Sequence, residues 1–176
     1  MLNIEKAIEA EKRPEYLALK ATLLFNLSYY QESQKEFKEA LALSKDPHLK
    51  TDILNNFACL LVQNNKKNDA LKIWHDLQNN KDYLTPEVAF VNEGKYWFDN
   101  NQHNKSKECF IKAVNIAPQY VDAHYYLAIC AHKLKDVSLA KNELGTVLFL
   151  EPEHNPAKNL TSLITRQNKS KPQKTS

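Results

Sequence analysis

Apolar residues recur along this chain at the three- and four-residue spacing of helices, in pairs of short stripes. Leu54, Phe57 and Leu61 form one stripe, and Leu71, Trp74 and Leu77 form the next; each lies on one helical face. The stripes follow a template. Leu127-Ala128 is followed by Ala140, Leu144, Val147 and Pro152, and the block before it fills the same slots with Glu93-Gly94, Ser106, Phe110, Ala113 and Pro118. Pro118 and Pro152 therefore stand 34 residues apart. Looser copies lie upstream, at Phe57-Ala58, Ala70, Trp74 and Leu77, and at Lys20-Ala21, Ser33, Phe37 and Ala40. Repeat starts fall near Pro14, Thr51, Glu87 and Val121, with spacings 51 − 14 = 37, 87 − 51 = 36 and 121 − 87 = 34. The surplus residues fall at 44–50 and 82–86, between repeats, where added length costs little. A further stretch, 155–165, carries Leu160, Leu163 and Ile164 behind an early Pro156 and is expected to cap the last apolar face.

A fixed period of this length, with a small residue in each of two paired helices, resembles the tetratricopeptide (TPR) repeat. The expected fold is all-α: a right-handed TPR α-solenoid of about four and a half helix-turn-helix repeats, closed by a C-terminal capping helix. It forms a single domain over residues 1–165, and 166–176 is a disordered basic tail. Local chemistry agrees. The chain has two glycines in 176 residues, so sheets with tight turns are not expected. Asn64-Asn65 and Asn100-Asn101 fall between paired helices, where a residue that tolerates the left-handed region can end a helix. Thr85-Pro86-Glu87 has the form of a helix start, with proline at the first helical position. Ala21, Ala58, Gly94 and Ala128 leave room where helices cross. Gly94 would otherwise cost its helix about 1 kcal/mol relative to alanine.

Charge and reactive side chains narrow the function. Of the net charge of +3, four positive charges (Arg166, Lys169, Lys171 and Lys174) lie after Thr165, leaving 3 − 4 = −1 on residues 1–165. The body offers no basic field for nucleic acid. Cys59, Cys109 and Cys130 form no C-x-x-C pair and are expected to pack as small buried residues. His48, His75, His103, His124, His132 and His154 lack the spacing of a helical metal site. Glu93 is expected to pair with a nearby lysine on the helix surface. No phosphate-cradling glycine loop and no nucleophile elbow are found in the sequence. Neither enzyme activity, a cofactor nor a small-molecule substrate is expected.

The run Asp52-Ile53-Leu54-Asn55-Asn56-Phe57-Ala58, then Ala70 and Trp74, then Asp82-Tyr83-Leu84-Thr85-Pro86-Glu87 and Asn92-Glu93-Gly94, resembles the type IV pilus biogenesis and stability proteins of the PilW/PilF family. That family has an Asn-Asn-aromatic-small helix, a Tyr-x-x-Pro connection and an Asn-x-Gly helix start at these places. The resemblance covers roughly Tyr16 to Leu160. It implies a periplasmic, outer-membrane-associated lipoprotein acting as a pilotin, which helps the pilus secretin reach or assemble in the outer membrane. The partner is then a secretin or another pilus-assembly component, and the membrane is reached only through a lipid anchor. The sequence departs from the family in having no signal peptide or lipobox cysteine near its start, and in holding about four and a half repeats where about six are usual. The alternative is a cytoplasmic TPR adaptor of co-chaperone type, or a secreted bacterial effector. A carboxylate-clamping adaptor uses Lys and Asn from successive first helices, but the matching slots hold Ala18 and Thr22, or Asn55 and Cys59.

In a TPR array the first helices line the working groove. Helical spacing then assigns to the partner-binding face Phe25, Asn55, Val62, Val91, Lys95, Phe98, Tyr125, Ile129 and His132, a mixed apolar and polar surface suited to an extended or helical peptide. The structural positions of the repeat are Ala21, Ala58, Ala70, Trp74, Gly94, Phe110, Ala113, Pro118, Ala128, Ala140 and Pro152.

Overall fold

The computed structural model describes residues 2–169, the side chains of 2, 3, 9, 10, 168 and 169 excepted. Among them are ten helices and no strand: α1 (Leu2–Ala10), α2 (Pro14–Asn26), α3 (Tyr30–Leu43), α4 (Pro47–Gln63), α5 (Lys67–Gln78), α6 (Pro86–Asp99), α7 (His103–Ile116), α8 (Val121–Lys133), α9 (Val137–Leu150) and α10 (Asn155–Lys169). The chain divides into two compact units, with the boundary inside α6 between Ala89 and Phe90.

The first unit holds the hairpins α2–α3 and α4–α5 around Leu17, Ala21, Phe37, Ala40, Ile53 and Leu60. The connection that leaves α5 is tied back onto α4. The Asp82 carbonyl accepts from Thr51 Oγ1 at 3.3 Å and lies 2.6 Å from His48 Nδ1. Tyr83, from the Tyr-x-x-Pro segment, is buried. Burial pushes its hydroxyl up to about 12 because water no longer stabilises the phenolate.

The second unit has two cores. Phe90, Val91, Phe110, Ala113, Ala123, Leu127 and Cys130 make one. Ala128, Ala131, Ala140, Leu144, Val147, Ala157 and Ile164 make the other, where α10 covers α9. α10 runs to Lys169, so Arg166 to Lys169 extend the capping helix where the sequence placed the start of the tail. The rest of that tail, 170–176, lies outside the described residues.

One device ends the first helix of every hairpin. Ser28, Asn65, Asn101 and Lys135 have φ of 64°, 60°, 58° and 64°. The N–H of each bonds back to Phe25, Val62, Phe98 and His132. The N–H of the next residue bonds to Leu24, Leu61, Trp97 and Ala131. This is the Schellman arrangement, which satisfies carbonyls that the helix end leaves open. The four residues are spaced 37, 36 and 34 apart, so turn geometry and apolar pattern share one period. A second register mark crosses two of the hairpins, between residues twelve apart. Ser33 Oγ donates to the Ala21 carbonyl and Ser106 Oγ to the Gly94 carbonyl, both at 2.8 Å and both buried. Ala70 and Ala140 fill the same slot elsewhere, fully buried.

α4 begins at Pro47 with Asp46 as its cap, Oδ1 accepting from His48 N. Residues 47–50 therefore lengthen the helix instead of the connection that the template assigned them to. A capped proline start is a stronger local signal than alignment to a neighbouring repeat.

The two glycines sit in opposite surroundings. A Cβ at Gly94 would lie 2.6 Å from Phe110 Cε1, whereas a Cβ at Gly145 would meet nothing within 4 Å. Gly145→Ala is therefore expected to raise stability by about 0.5–1 kcal/mol, the helix-propensity difference with no steric cost. Thermal unfolding by circular dichroism reads this as a Tm higher by about 1–4 °C. An unchanged or lower Tm would mean that the outer face of α9 is not open at Gly145.

Candidate partner-binding cleft

Gly94 positions an apolar cleft in the second unit. Because it has no side chain, the Phe110 ring from α7 lies directly against α6. The Tyr126 ring from α8 stacks on Phe110, centroids 5.8 Å apart and planes 20° apart. Lys95, next to Gly94 on α6, lays its Nζ 4.2 Å from the centroid of Tyr126. With Phe98, Asp99 and Ile129 these residues line a cleft of about 340 Å³. Its floor is aromatic and aliphatic, and its two charges stand one helical turn apart on α6.

The predicted partner-binding residues separate into three groups. Lys95, Phe98 and Ile129 come together at the cleft. Val91 does not: it is 2% exposed and belongs to the core beside Phe90. Helical spacing gave it the same stripe as Lys95 and Phe98, but it sits on the stripe's inner margin. Asn55 is likewise buried. Tyr125 does not line the cleft: it packs onto the α9–α10 core and the His154 ring at 4.8 Å, and its neighbour Tyr126, 5.9 Å away, takes the cleft position. His132 is half-buried, and its Nδ1 is enclosed without a hydrogen-bond partner. In the first unit, Phe25 packs against Tyr30 at 5.9 Å and joins the core margin, while Val62 is half-buried.

The structural positions of the repeat are mostly enclosed. Ala21, Ala58, Ala70, Ala113, Ala128 and Ala140 are fully enclosed, and Trp74 and Phe110 are buried. Pro118 and Pro152 follow the ends of α7 and α9, and the Pro118 carbonyl has a second role. It lies 2.9 Å from Nε2 of His124, whose Nδ1 is 2.6 Å from Glu143 Oε2. This buried pair ties α8, α9 and the connection before α8 together. The sequence reading, which treated His124 as an ordinary histidine, missed it.

Glu93 accepts from Trp97 Nε1 at 2.9 Å. Cys109 and Cys130 are buried free thiols, and Cys59 is half-buried. Burial, with the Glu93 carboxylate next in effect, pushes the Cys109 thiol up to about 12. Burial raises Cys130 as well. Such thiols stay protonated and unreactive at neutral pH. Among the described residues, no three His, Cys, Asp or Glu side chains stand together as a metal site.

Residues 14–47 and 89–120 match the tetratricopeptide repeat family. Those two segments are tetratricopeptide repeats. The chain's all-α hairpins belong to the TPR α-solenoid class, a protein–protein interaction fold. No curated protein matches the sequence. Among solved structures, PilW, a widely conserved type IV pilus biogenesis factor, is 19% identical with a TM-score of 0.70, over 84% of this chain and 66% of PilW. The chain thus spans just under two thirds of that protein. PilF from Pseudomonas aeruginosa is 15% identical with a TM-score of 0.74, over 96% of this chain and 75% of PilF. The first TPR domain of Spaghetti, bound to an HSP90 peptide, is 20% identical with a TM-score of 0.59, over 69% of this chain and 94% of that one. These likenesses concern the fold.

Proposed function

We propose that this chain is a non-catalytic interaction module of type IV pilus biogenesis, and that it assists outer-membrane localisation or assembly of the secretin by holding a segment of it. The observation that carries the interaction reading is the cleft itself. Four apolar side chains from three helices converge with Lys95 and Asp99 on a surface that the repeat cores leave open. The pilus assignment is supported by the Asn55-Asn56-Phe57-Ala58 helix, the Tyr83-to-Pro86 connection and the Asn92-x-Gly94 start. The shared fold with PilW and PilF agrees with it. Part of the motif has a structural reason: Tyr83 anchors its connection by burial, and Gly94 admits Phe110. A lipoprotein anchor and a periplasmic site belong to the same proposal.

The test is calorimetric titration of the purified chain with a C-terminal segment of the secretin encoded in the same genome. Saturable one-to-one binding is expected. If the segment fails to bind while the chain remains fully helical, the pilotin reading falls and an adaptor with another protein partner remains.

A further inference from the structure

The charge arrangement of the cleft goes further than its apolar floor. Lys95 and Asp99 are separated by four residues of α6, about 6 Å along the axis, yet no ion pair joins them. The Lys95 ammonium instead lies over the Tyr126 ring at 4.2 Å, and that ring is fixed in turn by stacking on the buried Phe110. A cation held on one side by an aromatic face keeps its other side open to an anion. The cation is therefore placed before any partner arrives, beside a floor made by Phe98, Phe110, Tyr126 and Ile129.

We propose that this cleft selects a protein segment in which a bulky apolar side chain stands beside a side-chain carboxylate, and that Lys95 is the residue that recognises the acid. The proposal rests on the reading that this face holds a partner segment. Charge complementarity sets the chemistry: the apolar side chain fills the floor, the acid meets Lys95, and Asp99 repels a carboxylate from the other end. The acid comes from within the segment and not from a chain terminus. Capture of a terminal carboxylate uses free backbone N–H groups gathered in a nest, or a clamp of Lys and Asn side chains, whose slots here hold Ala18 and Thr22, or Asn55 and Cys59. Here the lining residues of α6 and α8 lie inside helices, where the N–H groups are committed to the helical ladder.

An array of short synthetic peptides, amidated at the C-terminus, tests this. Each carries Glu, Gln or Lys beside Leu, Phe or Ala, within randomised polar flanks. The parent protein is expected to favour Glu over Gln about fivefold and to need Leu or Phe, the scale of one half-exposed ion pair beside an apolar anchor. Lys95→Arg retains the preference, Lys95→Gln abolishes it, and Lys95→Glu turns it towards Lys. Asp99→Asn increases binding of the Glu peptides. Melting curves of the variants should match the parent, because both side chains stand at the rim. Binding that is blind to Glu against Gln, or a Glu preference that survives Lys95→Glu, overturns the proposal while leaving the cleft as a docking surface. Loss of that acid-blind binding in Ile129→Ala would confirm the location. Absence of binding to every peptide overturns both readings, since a face that holds linear segments must hold some of them.

Discussion

Gly94→Leu is expected to lower stability by roughly 2 kcal/mol or more. Even a Cβ at this position would stand 2.6 Å from Phe110 Cε1, 2.9 Å from Cδ1 and 3.0 Å from Cζ, so the ring must move before any further atom is added. Phe110 has little freedom to do so. It is 1% exposed, packs in the Phe90–Leu127 core and stacks on Tyr126. Forcing a large side chain into a well-packed site costs about 1–3 kcal/mol, occasionally more, and three ring atoms within 3.0 Å put this one at the upper end. Leucine returns about 0.8 kcal/mol through its better helix propensity, which leaves the sign unchanged. For a chain of this size the Tm should fall by roughly 4–8 °C. A variant that melts with the parent would show that the α6–α7 crossing is not closed at Gly94, and the register of that hairpin would be wrong.

The period was legible because two independent residue sets carry it. Apolar positions set the repeat, and Asn65 and Asn101 supply left-handed helix ends that asparagine tolerates better than most residues. Ser28 and Lys135 occupy the same conformation, but neither residue type announces it. The hydrogen bonds of the helix end and the packing of each hairpin outweigh a local preference of about 1–2 kcal/mol. Likewise Pro47 starts a helix that alignment to the other repeats would begin later.

The cleft was half legible. Lys95, Phe98 and Ile129 follow from helical spacing on α6 and α8. Tyr125 and Tyr126 are adjacent, so their side chains point about 100° apart around the helix, and a small register error exchanges core for cleft. Phe110 could not be assigned from pattern, because it reaches the cleft from a second helix only where Gly94 lets it approach. The His124–Glu143 pair spans 19 residues between two helices, and nothing local in the sequence marks such a contact.

Combining Lys95→Glu with Phe98→Ala and Ile129→Ala should weaken partner binding by a hundredfold or more. Aromatic and aliphatic anchors in a groove contribute about 2 kcal/mol each, and reversing the charge adds repulsion against an acidic partner. Stability should fall only modestly, since all three side chains are half-exposed and none belongs to the fully buried set. Phe149→Ala supplies the control: at 84% exposed on α9 it is the most open large apolar side chain among the described residues, and it does not line the cleft.

The most direct measurement is calorimetric titration of one secretin C-terminal segment into the parent, the triple variant and Phe149→Ala, each with a melting curve alongside. Equal affinity for the parent and Phe149→Ala, with loss of binding by a folded triple variant, is the predicted result. A folded triple variant that binds like the parent would contradict the account and place the working surface elsewhere on the repeats.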